Sequence, residues 1–139
     1  MIARSTFRGF VAASSTAAAI VAASGPAGAT IVPPSSATIQ VSGETITATL
    51  TQISTDLAGG TVQCTLLVDA ANALSGRDPA PANFTLNIKV PEGDHFAITY
   101  CADFPADSDT PSSYPTLACA KVNVPAGTVE SLPPDKCYA

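Results

Sequence analysis

The sequence predicts an all-β fold, an antiparallel sandwich of about six to eight strands stapled by two disulfides. Apolar and polar residues alternate in six short segments, and a period of two is typical of a strand with one buried face. Turn-forming residues separate these segments, and no segment longer than one turn has helical periodicity. An even number of cysteines, four, in a small chain predicts two disulfides. A small closed barrel is the alternative architecture.

The alternation also places the individual strands. Aliphatic residues such as Ile46 and Leu50 alternate with threonines, whose branched side chains suit an exposed strand face. Residues 70–74 are expected to form one helical turn, and residues 125–135 a proline-rich tail. We expect strands at residues 37–41, 44–53, 61–69, 84–90, 95–101 and 117–124.

The strand from His95 to Cys101 is expected to be central. Phe96, Ile98 and Tyr100 alternate with smaller or polar residues, so they are assigned to the core face. Cys101 is out of phase with them and is therefore expected to point outward. A long loop, residues 102–116, follows and contains three aspartates and three prolines.

The pairing of Cys64, Cys101, Cys119 and Cys137 has two solutions. Cys119 is also out of phase with its apolar neighbours, so a bridge from Cys101 to Cys119, with Cys64 bonded to Cys137, is preferred. The rival pairing, Cys64–Cys101 with Cys119–Cys137, would need a bulge to bring the facings into agreement. A zinc site is disfavoured because the cysteines do not form close pairs.

Residues 1–29 have the pattern of a secretory signal peptide. Arg4 and Arg8 precede an uncharged apolar run, and Ala27-Gly28-Ala29 supplies the small residues that a signal peptidase recognises. A membrane anchor is the alternative, but the run is shorter than the roughly 20 residues that a spanning helix needs. We therefore expect cleavage after Ala29, a single domain at residues 30–139, and a secreted or envelope location.

The charge of the expected mature domain limits its partners. Four basic residues stand against eleven acidic ones, a formal net charge of −7. This balance argues against nucleic acid or an anionic membrane surface as partner. We expect a monomer with no membrane span after signal removal, which binds a protein or a cell-envelope component.

Three segments carry a resemblance to known proteins: residues 41–49, residues 62–65 and residues 96–101. Together they resemble the immunoglobulin-like domains of secreted bacterial proteins, which implies an immunoglobulin-like sandwich. The match is one of architecture, covers most of the mature chain, and assigns no functional residue. In outline the chain also resembles the secreted apoproteins that hold enediyne chromophores, although their cysteines form close pairs and these do not.

No catalytic or cofactor-binding residue is expected. His95 is the only histidine, which excludes copper sites that need two, and neither a Gly-x-Ser-x-Gly nor a Ser-x-x-Lys motif occurs. Asp103, Asp107 and Asp109 are candidate Ca²⁺ ligands because they are oxygen donors on one loop, but the Asp-x-Asp-x-Asp-Gly pattern is absent. With Tyr114 they also form a candidate recognition loop.

The sequence thus predicts an exported, non-enzymatic module that binds its partner through the loops at the Cys101 end. A secreted carrier of a small apolar molecule is the first alternative. A structural envelope protein without a specific ligand is the second.

Overall fold

The computed structural model describes residues 30–133 and 136–137; the predicted signal peptide lies outside them. Ten β-strands form two antiparallel sheets, which confirms the predicted all-β sandwich. The strands are β1 (Ile31–Val32), β2 (Ser36–Ser42), β3 (Thr45–Thr55), β4 (Thr61–Val68), β5 (Ala71–Leu74), β6 (Asp78–Pro79), β7 (Ala82–Lys89), β8 (Gly93–Phe104), β9 (Thr116–Val124) and β10 (Thr128–Leu132).

The four-stranded sheet is built around β3, which pairs antiparallel with β1, β2 and β7. Gly43 makes the tight turn between β2 and β3 possible, because its φ of 59° lies in the left-handed region that favours glycine. The inner face of this sheet is aliphatic, with Ile39, Ile46 and Leu50 fully buried. These large side chains form half of the core.

The six-stranded sheet has the order β10-β9-β8-β4-β5, and β6 also pairs with β4. On β8 and β9 its inner face includes small residues, such as Ala97, Thr99 and Ala120, all with 0% exposure. On β4 it carries the larger residues Val62, Leu66 and Val68. The inner faces of the two sheets pack together in a single buried cluster.

Residues 71–74 and the proline-rich tail differ from the sequence-based prediction. Residues 71–74 form β5 rather than a helical turn, because Asp69 and Ala70 make a two-residue turn that folds the chain back onto β4. Asp69 has a φ of 53°, a conformation that aspartate tolerates better than most residues. The proline-rich tail contains β10, which adds an edge strand to β9.

The preferred disulfide pairing was wrong: the bonds are Cys64–Cys101 and Cys119–Cys137. Cys64 lies directly opposite Cys101 in an unbroken β4–β8 register, so no bulge is required between them. The error arose because the wrong face of β8 was assigned to the core. Cys101 points into the core, whereas Phe96, Ile98 and Tyr100 lie on the opposite face.

The outer face of the six-stranded sheet is covered in part by the C-terminal segment. Cys119 points outward as predicted, and its bond to Cys137 holds that segment against Ile98. Phe96, Tyr100 and Leu132 pack against this group and form a second, smaller apolar cluster. Two intact disulfides indicate an oxidising environment, as in the extracellular space or the periplasm.

Candidate functional site

The side chains that could meet a ligand lie on the outer face of the six-stranded sheet. Phe96 and Tyr100 on β8 are half-buried there, because Leu132 and Cys137 cover only part of the face. A sheet face with aromatic residues on the solvent side differs from the polar outer face that an antiparallel sheet usually presents. Two cavities border the uncovered part, and both include Phe96 and Lys121.

The first cavity, which we call the lysine cavity, is lined by Phe96, Lys121, Leu132, Pro133 and Lys136. Its volume is about 520 Å³, within the range of about 300–1,000 Å³ that is usual for small-molecule sites. Of these described lining residues, three are apolar and two are cationic.

Strand geometry explains why the two lysines meet the apolar residues. Lys121 lies between inward-facing Ala120 and Val122 on β9, so it must project from the outer face. Its antiparallel neighbour on β8 is Phe96. Lys136 immediately precedes Cys137 and is therefore held near this face by the disulfide to Cys119.

The second cavity, the histidine cavity, is larger and more polar. Its volume is about 580 Å³, and its walls carry Asp69, Asp94, His95 and Glu130 beside Lys121. Asp94 accepts a hydrogen bond of 2.6 Å from the side-chain amide of Asn123. The carboxylates offer a poor environment for an anionic ligand, which distinguishes this cavity from the lysine cavity.

His95 is held by two acceptors. Its Nδ1 lies 2.6 Å from the Asp69 carboxylate and its Nε2 lies 2.7 Å from the Pro91 carbonyl oxygen. Both partners only accept hydrogen bonds, so the arrangement suits the doubly protonated imidazolium. The bond to Asp69, and then the bond to Pro91, raise the pKa of His95 above its ordinary value of 6.5. The same bond from His95 lowers the pKa of Asp69.

This geometry gives His95 a structural role. Only 8% of its side-chain surface is exposed, and neither ring nitrogen is left to accept a proton from a substrate. Asp69 also accepts a hydrogen bond of 3.3 Å from the backbone N–H of Phe96. The pair therefore ties the β4–β5 turn to the beginning of β8.

The predicted loop aspartates are placed in different environments. Asp103 is the penultimate residue of β8 and is fully buried, because the strand extends three residues beyond Cys101. Its Oδ1 accepts hydrogen bonds from the backbone N–H and the hydroxyl of Ser113, at 3.1 and 2.9 Å. Its Oδ2 accepts hydrogen bonds from the hydroxyls of Thr30 and Thr55. Asp103 therefore organises the interior end of the loop.

Asp107, Asp109 and Tyr114 lie on the solvent side of the same loop. Tyr114 is 67% exposed, and Asp109 forms an ion pair of 3.1 Å with Arg77. Arg77 also donates to the Ser108 carbonyl oxygen at 2.7 Å and lies over the ring of Phe104. The loop is thus fastened at Asp103 and again at Arg77.

The structure does not bring the three aspartates together as a cation site. Within residues 30–133 and 136–137, no three His, Cys, Asp or Glu side chains are grouped in a way that could hold a metal ion. Among the same residues there is also no helix long and apolar enough to cross a membrane.

Lys121 and Lys136 were not singled out from the sequence. The phase of Lys121 on its strand was a usable signal, since it identified an outward cation between buried residues. Nothing local identified Lys136, because its position depends on which cysteine Cys137 meets. Phe96 was assigned to the core face because it is apolar, so its outward position was not predicted either.

Comparison with known proteins gives no relative from which a role could be transferred. No protein family, no curated protein and no solved structure matches the chain.

Proposed function

We propose that this protein is an exported, non-enzymatic binding module that holds an amphipathic anion in the lysine cavity. The ligand class is a small molecule with an apolar body and a carboxylate or similar anionic group, such as an acidic component of the cell envelope. The observation that carries the proposal is the juxtaposition of Phe96, Leu132 and Pro133 with Lys121 and Lys136.

The apolar residues supply the affinity for the body of the ligand. Burial of apolar surface is worth about 25 cal/mol for each Å² removed from water, and aromatic rings contribute large contact areas. Phe96 and Leu132 already pack on the Ile98 cluster, so their positions are fixed before a ligand arrives. A preformed surface lowers the entropic cost of binding.

The lysines determine the charge of the ligand. This acidic domain has only four basic residues, and two of them line the lysine cavity. The cavity has five described lining residues in all. Among the described residues, neither lysine forms an ion pair. Glu130 is the cross-strand neighbour of Lys121 but lines the histidine cavity. Ammonium groups beside an apolar surface favour a carboxylate over a neutral head group.

The export part of the proposal rests on the signal-peptide pattern of residues 1–29 together with the two disulfides. The immunoglobulin-like assignment is supported by the strand arrangement. β2, β3 and β7 share one sheet and β4, β8 and β9 share the other, which corresponds to the A-B-E and C-F-G division of immunoglobulin domains. We propose that the module is a monomer.

Calorimetric titration of the exported protein with decanoate tests this function. We expect saturable binding at one site, and about tenfold weaker binding of decanol, which has the same chain length but no charge. The double variant Lys121→Ala/Lys136→Ala should bind decanoate about tenfold more weakly, since the loss of two partly exposed charge contacts amounts to roughly 1.4 kcal/mol.

Lys89→Ala is the matched control. Lys89 is an exposed lysine on β7 of the other sheet, where it lies 3.7 Å from Glu44. Its removal changes the net charge without touching the cavity, so decanoate affinity should stay unchanged. Equal affinity for decanol and decanoate would contradict the proposal. So would a Lys89→Ala variant that binds decanoate as weakly as the double variant Lys121→Ala/Lys136→Ala.

A second candidate function is protein recognition by the loop that carries Asp107, Asp109 and Tyr114. The favouring observation is the 67% exposure of Tyr114 on a loop that Asp103 and Arg77 hold in place. Rigid exposed tyrosines are good recognition residues. The combined change Asp107→Ala, Asp109→Ala and Tyr114→Ala should then remove a partner from an envelope-extract pulldown, while an unchanged partner profile would exclude this role.

A further inference from the structure

The buried carboxylate of Asp103 has four hydrogen-bond donors but no cation. Its oxygens accept from Ser113 twice, from Thr55 and from Thr30, and its exposed fraction is 0%. Among the described residues, no lysine, arginine or histidine forms an ion pair with it. Removing a carboxylate from water is costly unless an opposite charge accompanies the hydrogen bonds.

The backbone nitrogen of Thr30 lies beside this carboxylate. It donates a hydrogen bond of 3.1 Å to the hydroxyl oxygen of Ser113, and that hydroxyl donates to Asp103 at 2.9 Å. The hydroxyl of the same Thr30 donates directly to Asp103. The carbonyl oxygen of Thr30 is fixed as well, because it accepts a hydrogen bond of 2.9 Å from the Asp56 N–H. All three polar groups of Thr30 therefore form hydrogen bonds, and together they hold the residue next to the carboxylate.

The sequence independently marks the bond before Thr30 as a processing site. Ala27 and Ala29 occupy the small-residue positions that a signal peptidase reads, and cleavage after Ala29 makes Thr30 the first residue. We propose that this cleavage completes the fold: the new α-ammonium group of Thr30 becomes the counter-ion of the buried Asp103. The inference rests on the export part of the proposed function and is independent of the ligand.

The chemistry of the step is hydrolysis. Water adds across the Ala29–Thr30 amide, so that Ala29 gains a carboxylate and Thr30 gains an amino group. Near neutral pH that amine carries a proton, since the ordinary pKa of an α-amino group is about 7.7–8.0. A peptide nitrogen that donated one hydrogen bond thus becomes a cation with three N–H groups next to Ser113 and Asp103.

The experiment compares two amino termini of the exported protein. Intact mass measurement of the protein secreted with its own leader should give a chain that begins at Thr30 and carries two disulfides. A variant with one alanine inserted between Ala29 and Thr30 keeps the cleavage motif and begins one residue earlier. Its melting temperature should be lower by about 5 °C, because 1 kcal/mol corresponds to roughly 4–8 °C in a domain of this size.

Asp103→Asn provides the control for this comparison. With a neutral amide at residue 103, the added alanine should cost no more than about 1 °C, since no buried charge is left to pair. A mature chain that begins elsewhere, equal melting temperatures for the two termini, or a difference that persists in Asp103→Asn would overturn the proposal.

A second measurement uses the unmutated protein and does not depend on the folding of any variant. The α-amino group of Thr30 can be titrated by NMR after isotopic labelling. A neighbouring carboxylate favours the ammonium form, so its pKa should lie above about 8. An α-amino pKa within the ordinary range would contradict the ion pair. A failure of decanoate to bind would leave these results unaffected, so the two proposals fail separately.

Discussion

At the scale of single residues, two acidic side chains have opposite surroundings and corresponding roles. Asp103 is sealed in the interior by hydroxyl and N–H donors, whereas Asp69 is half exposed and holds His95. The sequence could not separate them, because burial of a carboxylate depends on where distant donors such as Thr30 and Thr55 arrive. The alternation of apolar residues in the sequence predicts the faces of the strands, but it does not predict which hydrogen-bond donors meet at the strand ends.

The first prediction concerns Asp103. Asp103→Ala leaves the N–H of Ser113 and three hydroxyls without their acceptor, and we expect a loss of about 3 kcal/mol or more in unfolding free energy. Asp107→Ala, on the exposed part of the same loop, should stay within about 0.5 kcal/mol of the parent. Urea unfolding measures both, and similar values for the two variants would contradict the role of Asp103.

The second prediction concerns the pH dependence of the His95–Asp69 pair. The raised pKa of His95 means that its stabilisation is complete below pH 6.5 and is lost as pH rises through the folded-state value. The lowered pKa of Asp69 means that its stabilisation is present above pH 3.8 and is lost below the folded-state value. Asp94 adds a smaller effect that also favours the imidazolium.

His95→Gln should therefore destabilise the protein more at about pH 5 than at about pH 9. Asp69→Asn should show the same trend, and the double variant should lose no more than the larger single effect at about pH 5. Chemical unfolding at the two pH values measures this difference. A destabilisation that does not change with pH would show that the imidazolium is not the stabilising form.

At the scale of elements, strand positions were predictable and strand faces only partly so. Six expected strands appear, because alternation over several residues is a strong signal. The phase of β8 was assigned wrongly because Phe96, Ile98 and Tyr100 look like core residues. They do contact apolar partners, but these come from the C-terminal segment on the outer face. Alternation identifies two faces without saying which one meets the other sheet.

The third prediction concerns this C-terminal segment. Cys119→Ala/Cys137→Ala removes a link that closes 18 residues, and we expect a loss of about 3 kcal/mol. Trypsin should then cut near Lys136 far sooner than in the parent. The same variant should lose decanoate binding, because Lys136, Leu132 and Pro133 would no longer be held beside Phe96. Parent-like stability and proteolysis would contradict the fastening role of this bond.

At the scale of the whole molecule, the fold class followed from local patterns while the candidate site did not. Turns and alternation are local, so a two-sheet sandwich with two disulfides was predictable. The lysine cavity combines β8, β9 and the C-terminal segment, and it exists only with the observed disulfide pairing. The sequence instead predicted a recognition site on the acidic loop, because its candidate residues are close together in the chain.

The lysine cavity lies on a sheet face because that face is only partly covered. Leu132 at the end of β10 and Cys137 cover the outer face only in part, so the aromatic side chains of β8 keep an accessible edge. Exposed apolar surface next to charged groups is typical of interaction sites. Behind it, the inner faces of the two sheets are buried together in one core.

An NMR titration of the exported protein with decanoate, followed through its backbone amide signals, shows directly where the ligand binds. We expect saturable shifts at Phe96, Lys121, Leu132 and Lys136, with none at Lys89 on the opposite sheet. Shifts confined to the loop of Asp107, Asp109 and Tyr114, or the absence of any saturable shift, would show that the outer face of the six-stranded sheet is not the binding site.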